Sequence, residues 1–163
     1  MTLIKSISGI RGTIGGKVNE GLTPIDAVKF SAAYCSWLKN RNIGKSLKVI
    51  VGRDARISGQ MISDLVISTL IGLGIDVVNL GLSTTPTVEM AVTMEKAQGG
   101  IILTASHNPK QWNALKLLNE LGEFISGSDG EEVLKIAELE AFDFAEVDDL
   151  GIVTESDEYL QKH

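Results

Sequence analysis

A single cysteine, Cys35, means that no intrachain disulfide can form, so the fold needs no oxidising compartment. Aromatic residues make up only 5% of the chain, so a hydrophobic content of 44% has to be aliphatic. Isoleucine, leucine, valine and alanine in that proportion suit a parallel sheet covered by helices. Basic residues are also in deficit, 15 against 21 acidic ones, for a net charge of −6. That balance excludes a nucleic acid or an anionic membrane surface as the expected partner. It also means that a phosphate ligand must be held by local cations against a repulsive overall field. No apolar run approaches the length that spans a bilayer, and Met1–Ser6 lacks the apolar core of a secretory signal. The expected setting is therefore cytoplasmic. Prolines number only three, and each marks a boundary. Pro24 follows Thr23 as a helix start, Pro86 follows Thr85 in the same way, and Pro109 closes a loop.

What the chain does have is a regular alternation. Residues 3–7 form a short strand, and residues 8–16, with four glycines, a loop able to approach a ligand closely. A helix runs from Pro24 to about Asn40, with Ile25, Val28, Ala32 and Cys35 on its apolar face. Leu47–Val51 is the second strand. Ser58 caps the helix that carries Met61, Ile62, Leu65, Val66 and Thr69, which stops at Gly72 and Gly74. Ile75–Leu80 is the third strand, and a helix capped by Thr85 reaches about Gln98. Gly99–Leu103 is the fourth strand. Ala114–Leu118 follows, and Glu123–Ser126 pairs back as an antiparallel hairpin. Ser128 caps a helix from Asp129 to about Phe142. Residues 1–142 thus predict one domain, a three-layer α/β/α sandwich with a mostly parallel mixed sheet and an antiparallel edge. Residues 143–163 predict a linker and the start of a further domain, with a helical turn or two over Glu155–Gln161.

The chemistry concentrates where the fourth strand ends. Thr104-Ala105-Ser106-His107-Asn108-Pro109 places a hydroxyl just past a strand tip, where open α/β sheets bind ligands. Pro109 restricts Asn108 to extended geometry. Ser106 has three readings. It can satisfy local backbone groups. It can be a hydrolase nucleophile, although the adjacent His107 points away and the glycine-flanked elbow is missing. It can carry a phosphoryl group, which needs cations, and His107, Lys110 and Lys116 supply them. Lys116 shares a strand face with Ala114 and Leu118. Arg11 is the one long charged side chain of the glycine-rich loop. Gly52-Arg53-Asp54-Ala55-Arg56 puts two arginines around an aspartate at another strand end, either as a surface ion pair or as a scaffold that orients the serine loop or meets another domain. No dense carboxylate cluster lies near the serine. Cys35, on a helix face, is a core residue rather than a nucleophile.

Four segments resemble the α-D-phosphohexomutases, the phosphoglucomutase/phosphomannomutase family, in kind and in order. The loop Thr104–Pro109 is similar to that family's phosphoserine loop, and Ser8-Gly9-Ile10-Arg11-Gly12 to its N-terminal arginine loop. Gly52–Arg56 is similar to its segment after the second strand. Trp112-Asn113-Ala114-Leu115-Lys116 resembles its asparagine-glycine-x-lysine segment, with Ala114 in place of the usual glycine and Trp112 where tyrosine is common. The resemblance implies domain I of a four-domain mutase that interconverts hexose 1-phosphate and 6-phosphate through a bisphosphate. It implies that Ser106 donates and accepts the phosphoryl group, that Lys116 and His107 balance charge or move protons, and that Arg11 contacts the transferring group. Asn108, Arg53, Asp54 and Arg56 would shape the loop or bind phosphate. It further implies Mg²⁺ bound through the phosphate on Ser106, with the other ligands in domain II, and hexose 1,6-bisphosphate as activator. Domains II–IV would be the partners, the chain alone would be inactive, and the face they leave bare would be open to dimerisation. The other reading is a stand-alone α/β module that binds a phosphorylated ligand or a protein without catalysis.

Overall fold

The structure, a computed structural model, describes residues 1–6 and 9–157. Seven strands form one mixed sheet: β1 (Ile4–Ser6), β2 (Gly9–Thr13), β3 (Lys48–Arg53), β4 (Asp76–Leu82), β5 (Gly99–Leu103), β6 (Trp112–Leu118) and β7 (Val153–Glu155). Four helices cover it: α1 (Pro24–Arg41), α2 (Gly59–Gly72), α3 (Thr85–Met94) and α4 (Gly127–Leu139). The spatial order is β1-β2-β6-β5-β3-β4-β7. Pairings from β5 through β3 and β4 to β7 are parallel, and those from β5 through β6 and β2 to β1 are antiparallel. The α/β sandwich with a mixed sheet is therefore present, and its antiparallel side takes in three strands beyond β5.

The two faces of the sheet are covered unequally, and this positions the site. Strand residues alternate sides. Val49, Val51, Val77, Ile101, Leu103, Leu115 and Leu117 enter a large core with α1, α2 and α4. Ile50, Val78, Leu80, Ile102 and Leu118 enter a smaller core whose one helix is α3. That helix packs on β3 and β5. No helix among the described residues covers the same face over β6 and β2. On β6 this is the side of Ala114 and Lys116, and the register sets Arg11 opposite Ala114 and Gly9 opposite Lys116. A charged row is thus tolerated in mid-sheet because no helix among the described residues is packed on it. Gly9 lets the strands close up, since a Cβ there would fall 2.3 Å from the Leu115 carbonyl oxygen.

Several expectations need correction. The glycine-rich segment is not all loop: Gly9–Thr13 is strand β2, and Ser8 lies outside the described residues. The third helix is capped by Thr84, whose hydroxyl accepts from Thr87 N–H, and it ends at Met94. The fourth is capped by Ser126, accepting from Asp129 N–H, and stops at Glu140 in the left-handed region. Runs of neighbouring hydroxyls offered several caps each, and the tertiary path chose among them. Ser58 stands at the N-terminus of α2 without a capping bond; its Oγ accepts from Asn113 Nδ2 instead. Ile25 and Met61 are exposed, not core. The hairpin after β6 is a single bridge, Leu118 to Phe124. The segment read as a linker holds a 3₁₀ turn at Val147–Asp149, and β7 then adds a parallel strand against β4. Glu155 is thus in a strand, and residues 158–161 of the expected helical turn lie outside the described residues.

Elsewhere the local chemistry is as expected. Thr23 and Asp26 form a capping box at α1, with Pro24 in its first turn. Burial pushes the Cys35 thiol well above its ordinary range, which fits an inert core residue. No helix of the described residues is long and apolar enough to cross a membrane.

Tyr34 ties α1 to the sheet. Its buried hydroxyl donates to the Leu118 carbonyl at 2.5 Å and accepts from Gly100 N–H at 3.0 Å. Burial holds its pKa well above the usual phenol value, so it stays a donor at any ordinary pH. Replacing Tyr34 by Phe strips both backbone groups of this partner and should destabilise the fold by about 1–3 kcal/mol. Urea denaturation of the two proteins measures this, as a lower midpoint at unchanged slope.

Candidate functional site: a serine at a strand tip among cations

β5 ends at Leu103, and the chain turns through Thr104 and Ala105 to Ser106. Asn108 N–H donates to the Ala105 carbonyl at 3.0 Å and Trp112 N–H to the Pro109 carbonyl at 3.0 Å, so the loop is two successive tight turns. Ser106 is exposed, with φ +54°, in the left-handed region that non-glycine residues rarely occupy. Its Oγ accepts a hydrogen bond from Lys116 Nζ at 2.8 Å. Together with Gly9, Arg11, Asn108 and Ala114 these residues line a cleft of about 240 Å³.

Both Lys116 and Arg11 stand on the uncovered half of the sheet. Lys116 is one strand over from the serine loop, and Arg11 is one further strand over, on β2. The Arg11 guanidinium lies 5.9 Å from the centre of the Trp112 ring, within the range of a cation–π contact. The two cations therefore flank the serine from the same side. The cleft is the opposite of the chain's overall charge, as an anion site in an acidic protein must be.

Arg56 plays a different part. Its NH1 donates to the carbonyls of Pro109 at 2.8 Å and Trp112 at 3.0 Å, and its NH2 to those of Ser106 and Asn108, each at 2.8 Å. Nε lies 3.4 Å from Asp54 Oδ2. The guanidinium is thus occupied by the loop's backbone and has a side chain only 11% exposed. Of the two earlier alternatives, surface pair or scaffold, this geometry is the scaffold. Asp54 joins it: Oδ1 accepts from Arg56 N–H at 3.2 Å, and Oδ2 accepts from Thr104 Oγ1 at 2.6 Å. Thr104 Oγ1 in turn accepts from Ser106 N–H at 3.1 Å.

Not every candidate converges. Arg53 turns away to α2, donating to the Asp54 carbonyl at 3.2 Å and to Gln60 Oε1 at 3.0 Å. His107 and Lys110 are exposed on the loop, and neither has a hydrogen-bond partner among the described residues. Asn108 enters through its backbone. Thr104 was missed in the sequence, although a hydroxyl at the end of a strand beside Asp54's strand was a readable hint. Ser58, bonded to Asn113, was read only as a helix cap. No three His, Cys, Asp or Glu side chains converge on a point among the described residues, and the Ser106 hydroxyl faces an ammonium. These residues do not by themselves fit a Mg²⁺ site.

Residues 3–143 match the family model described as phosphoglucomutase/phosphomannomutase, alpha/beta/alpha domain I. A phosphoglucomutase/phosphomannomutase of Thermococcus kodakarensis is 42% identical over 113 residues, covering 68% of this chain and 25% of the relative. A phosphoglucosamine mutase of Lactobacillus acidophilus is 38% identical over 160 residues, covering 94% and 34%. The crystal structure of a phosphoglucomutase/phosphomannomutase family protein from Burkholderia thailandensis superposes with a TM-score of 0.80 at 24% identity, over 98% of this chain and 34% of that one. It shows a shared fold. The chain spans about a quarter to a third of the length of these relatives.

An exposed ammonium bonded to the serine predicts anion binding in the cleft. Inorganic phosphate should shift the amide resonances of residues 105–116, and Lys116→Met should weaken its binding by about tenfold or more, the worth of one charge-assisted hydrogen bond. Raising salt should weaken it further in the wild type than in the variant.

Proposed function

The chain belongs to the phosphoglucomutase/phosphomannomutase family, and on that premise we propose that Ser106 is where it carries a transferable phosphoryl group. The observation that carries this reading is the 2.8 Å contact between Ser106 Oγ and Lys116 Nζ at an exposed strand tip. A phosphoseryl group holds nearly two negative charges at neutral pH, and a cation already placed at its bridging oxygen lowers the cost of forming it. Arg11 approaches from the next strand and meets the non-bridging oxygens.

The reaction is an exchange between serine and sugar. In the forward direction the bond between phosphorus and Ser106 Oγ breaks, a bond to the free hydroxyl oxygen of a hexose phosphate forms, and that hydroxyl gives up its proton. The product is a hexose bisphosphate. Its other phosphoryl group then moves to Ser106 Oγ, which releases the isomeric hexose phosphate and restores the phosphoserine. Lys116 balances the charge on Ser106 Oγ when it is the leaving or attacking oxygen. His107, exposed beside it, is free to take and return the sugar's proton. This assignment puts the remaining sugar contacts, and the ligands for the Mg²⁺ that the family resemblance implies, on domains II–IV. Hexose 1,6-bisphosphate is the species that charges the serine. The class is thus a phosphosugar mutase, an isomerase acting by phosphoryl transfer, with this chain as domain I.

Two measurements test it. Incubated with glucose 1,6-bisphosphate, the chain should gain one phosphoryl group by intact mass, mapping to Ser106 and absent from Ser106→Ala. Phosphate mapping to another residue overturns the assignment. In a coupled assay with glucose, mannose and glucosamine 1-phosphates, the chain by itself should give no turnover; appreciable turnover would show that domains II–IV are dispensable.

A further inference from the structure

Ser106 is held in an unfavourable backbone conformation from both sides. Its N–H is taken by Thr104 Oγ1 and its carbonyl by Arg56 NH2. The two holds are one network. Thr104 Oγ1 accepts from Ser106 N–H and donates its own hydrogen bond to Asp54 Oδ2, and the same carboxylate meets Arg56 Nε. Arg56 then closes the circuit on four carbonyls of the loop. A planar fork of donors can span such a set, whereas an ammonium presents a single point. A left-handed non-glycine residue persists only when its surroundings over-determine it.

Direction follows from conformation. With φ at +54°, the Cα–Cβ bond of Ser106 is swung relative to where an extended or right-handed residue would put it. In that orientation Oγ reaches Lys116. Resting on the reading of Ser106 as the phosphoryl carrier, we propose that Arg56, Asp54 and Thr104 form a positioning network that imposes the left-handed conformation on Ser106 and thereby aims its Oγ at Lys116. None of the three touches the phosphoryl group; they act through the backbone on either side of Ser106. The second arginine of the Gly52–Arg56 segment is thus the one that serves the site, and Arg53 serves α2.

Two readouts test this separately. The first is conformational and needs no phosphoryl chemistry: the strong NOE between the amide and α protons of Ser106 that a left-handed residue gives. It should be present in the wild-type chain, lost in Thr104→Val and in Arg56→Gln, and kept in Thr104→Ser. Arg56→Lys keeps the charge but not the fork, and it should also lose the signal. The second is the rate of Ser106 phosphorylation by glucose 1,6-bisphosphate, which should fall at least tenfold in Thr104→Val and recover in Thr104→Ser, with the melting temperatures of the two variants alike. Should Arg56→Gln fail to fold, Thr104→Val decides, because it removes one hydroxyl and keeps the shape. A left-handed Ser106 in Thr104→Val, or full retention of both readouts in Arg56→Lys, overturns the proposal. A wild-type chain that shows the NOE but takes up phosphate at a residue other than Ser106 contradicts the phosphoserine reading alone, and the conformational readout still judges the network.

Discussion

Lys116 can sit beside Ser106 only because half of one sheet face is left bare. An ammonium in mid-strand would be costly under a packed helix, and on β6 it shares its side with Leu118, which is fully buried under the α3 layer. The difference is position along the strand. Leu118 and its partner Gly100 lie under Val92 of α3, whereas Lys116, paired with Ile102 on β5, has Gly9 of β2 on its other side, and no helix among the described residues covers β2 on that face. The site is therefore a consequence of unequal layers: three helices on one face, one on the other.

From that asymmetry the rest follows in order. β5 delivers the serine loop at its tip, β6 returns antiparallel with Lys116, and β2 comes alongside with Arg11. Lys116 and Arg11 thus ride on neighbouring strands and are placed by sheet register more than by loop conformation. The loop itself is the part that register cannot fix, and there the chain uses Arg56 and its partners. Rigid strands carry the cations; a hydrogen-bonded network holds Ser106.

Much of this was legible in the residues. The apolar runs Val49–Val51 and Ile101–Leu103 announced buried strands, and Thr23-Pro24 announced a helix start, because burial and capping leave local signatures. Ser106, Lys116 and Arg11 were nameable as a group from their types and from the resemblance. Gly9 and Gly12 misled, since glycine signals both a loop and a strand that approaches another backbone closely; here a Cβ at either would press on Leu115 or Leu22. The split between Arg53 and Arg56 was not legible, as both flank the same aspartate and only the path of the loop tells them apart. Nor was the bare half of the sheet, because which face a helix covers depends on crossover connections and not on local pattern.

If Ser106 carries a phosphoryl group, an anion belongs between Ser106 Oγ, Lys116 Nζ and the Arg11 guanidinium. A crystal structure of the chain soaked in tungstate, a heavy tetrahedral analogue of phosphate, tests it most directly. The account predicts the anion in this cleft, in contact with Lys116 and Arg11 and against the Ser106 side chain. A Ser106 turned into the sheet, or tungstate bound elsewhere with this cleft empty, would contradict it.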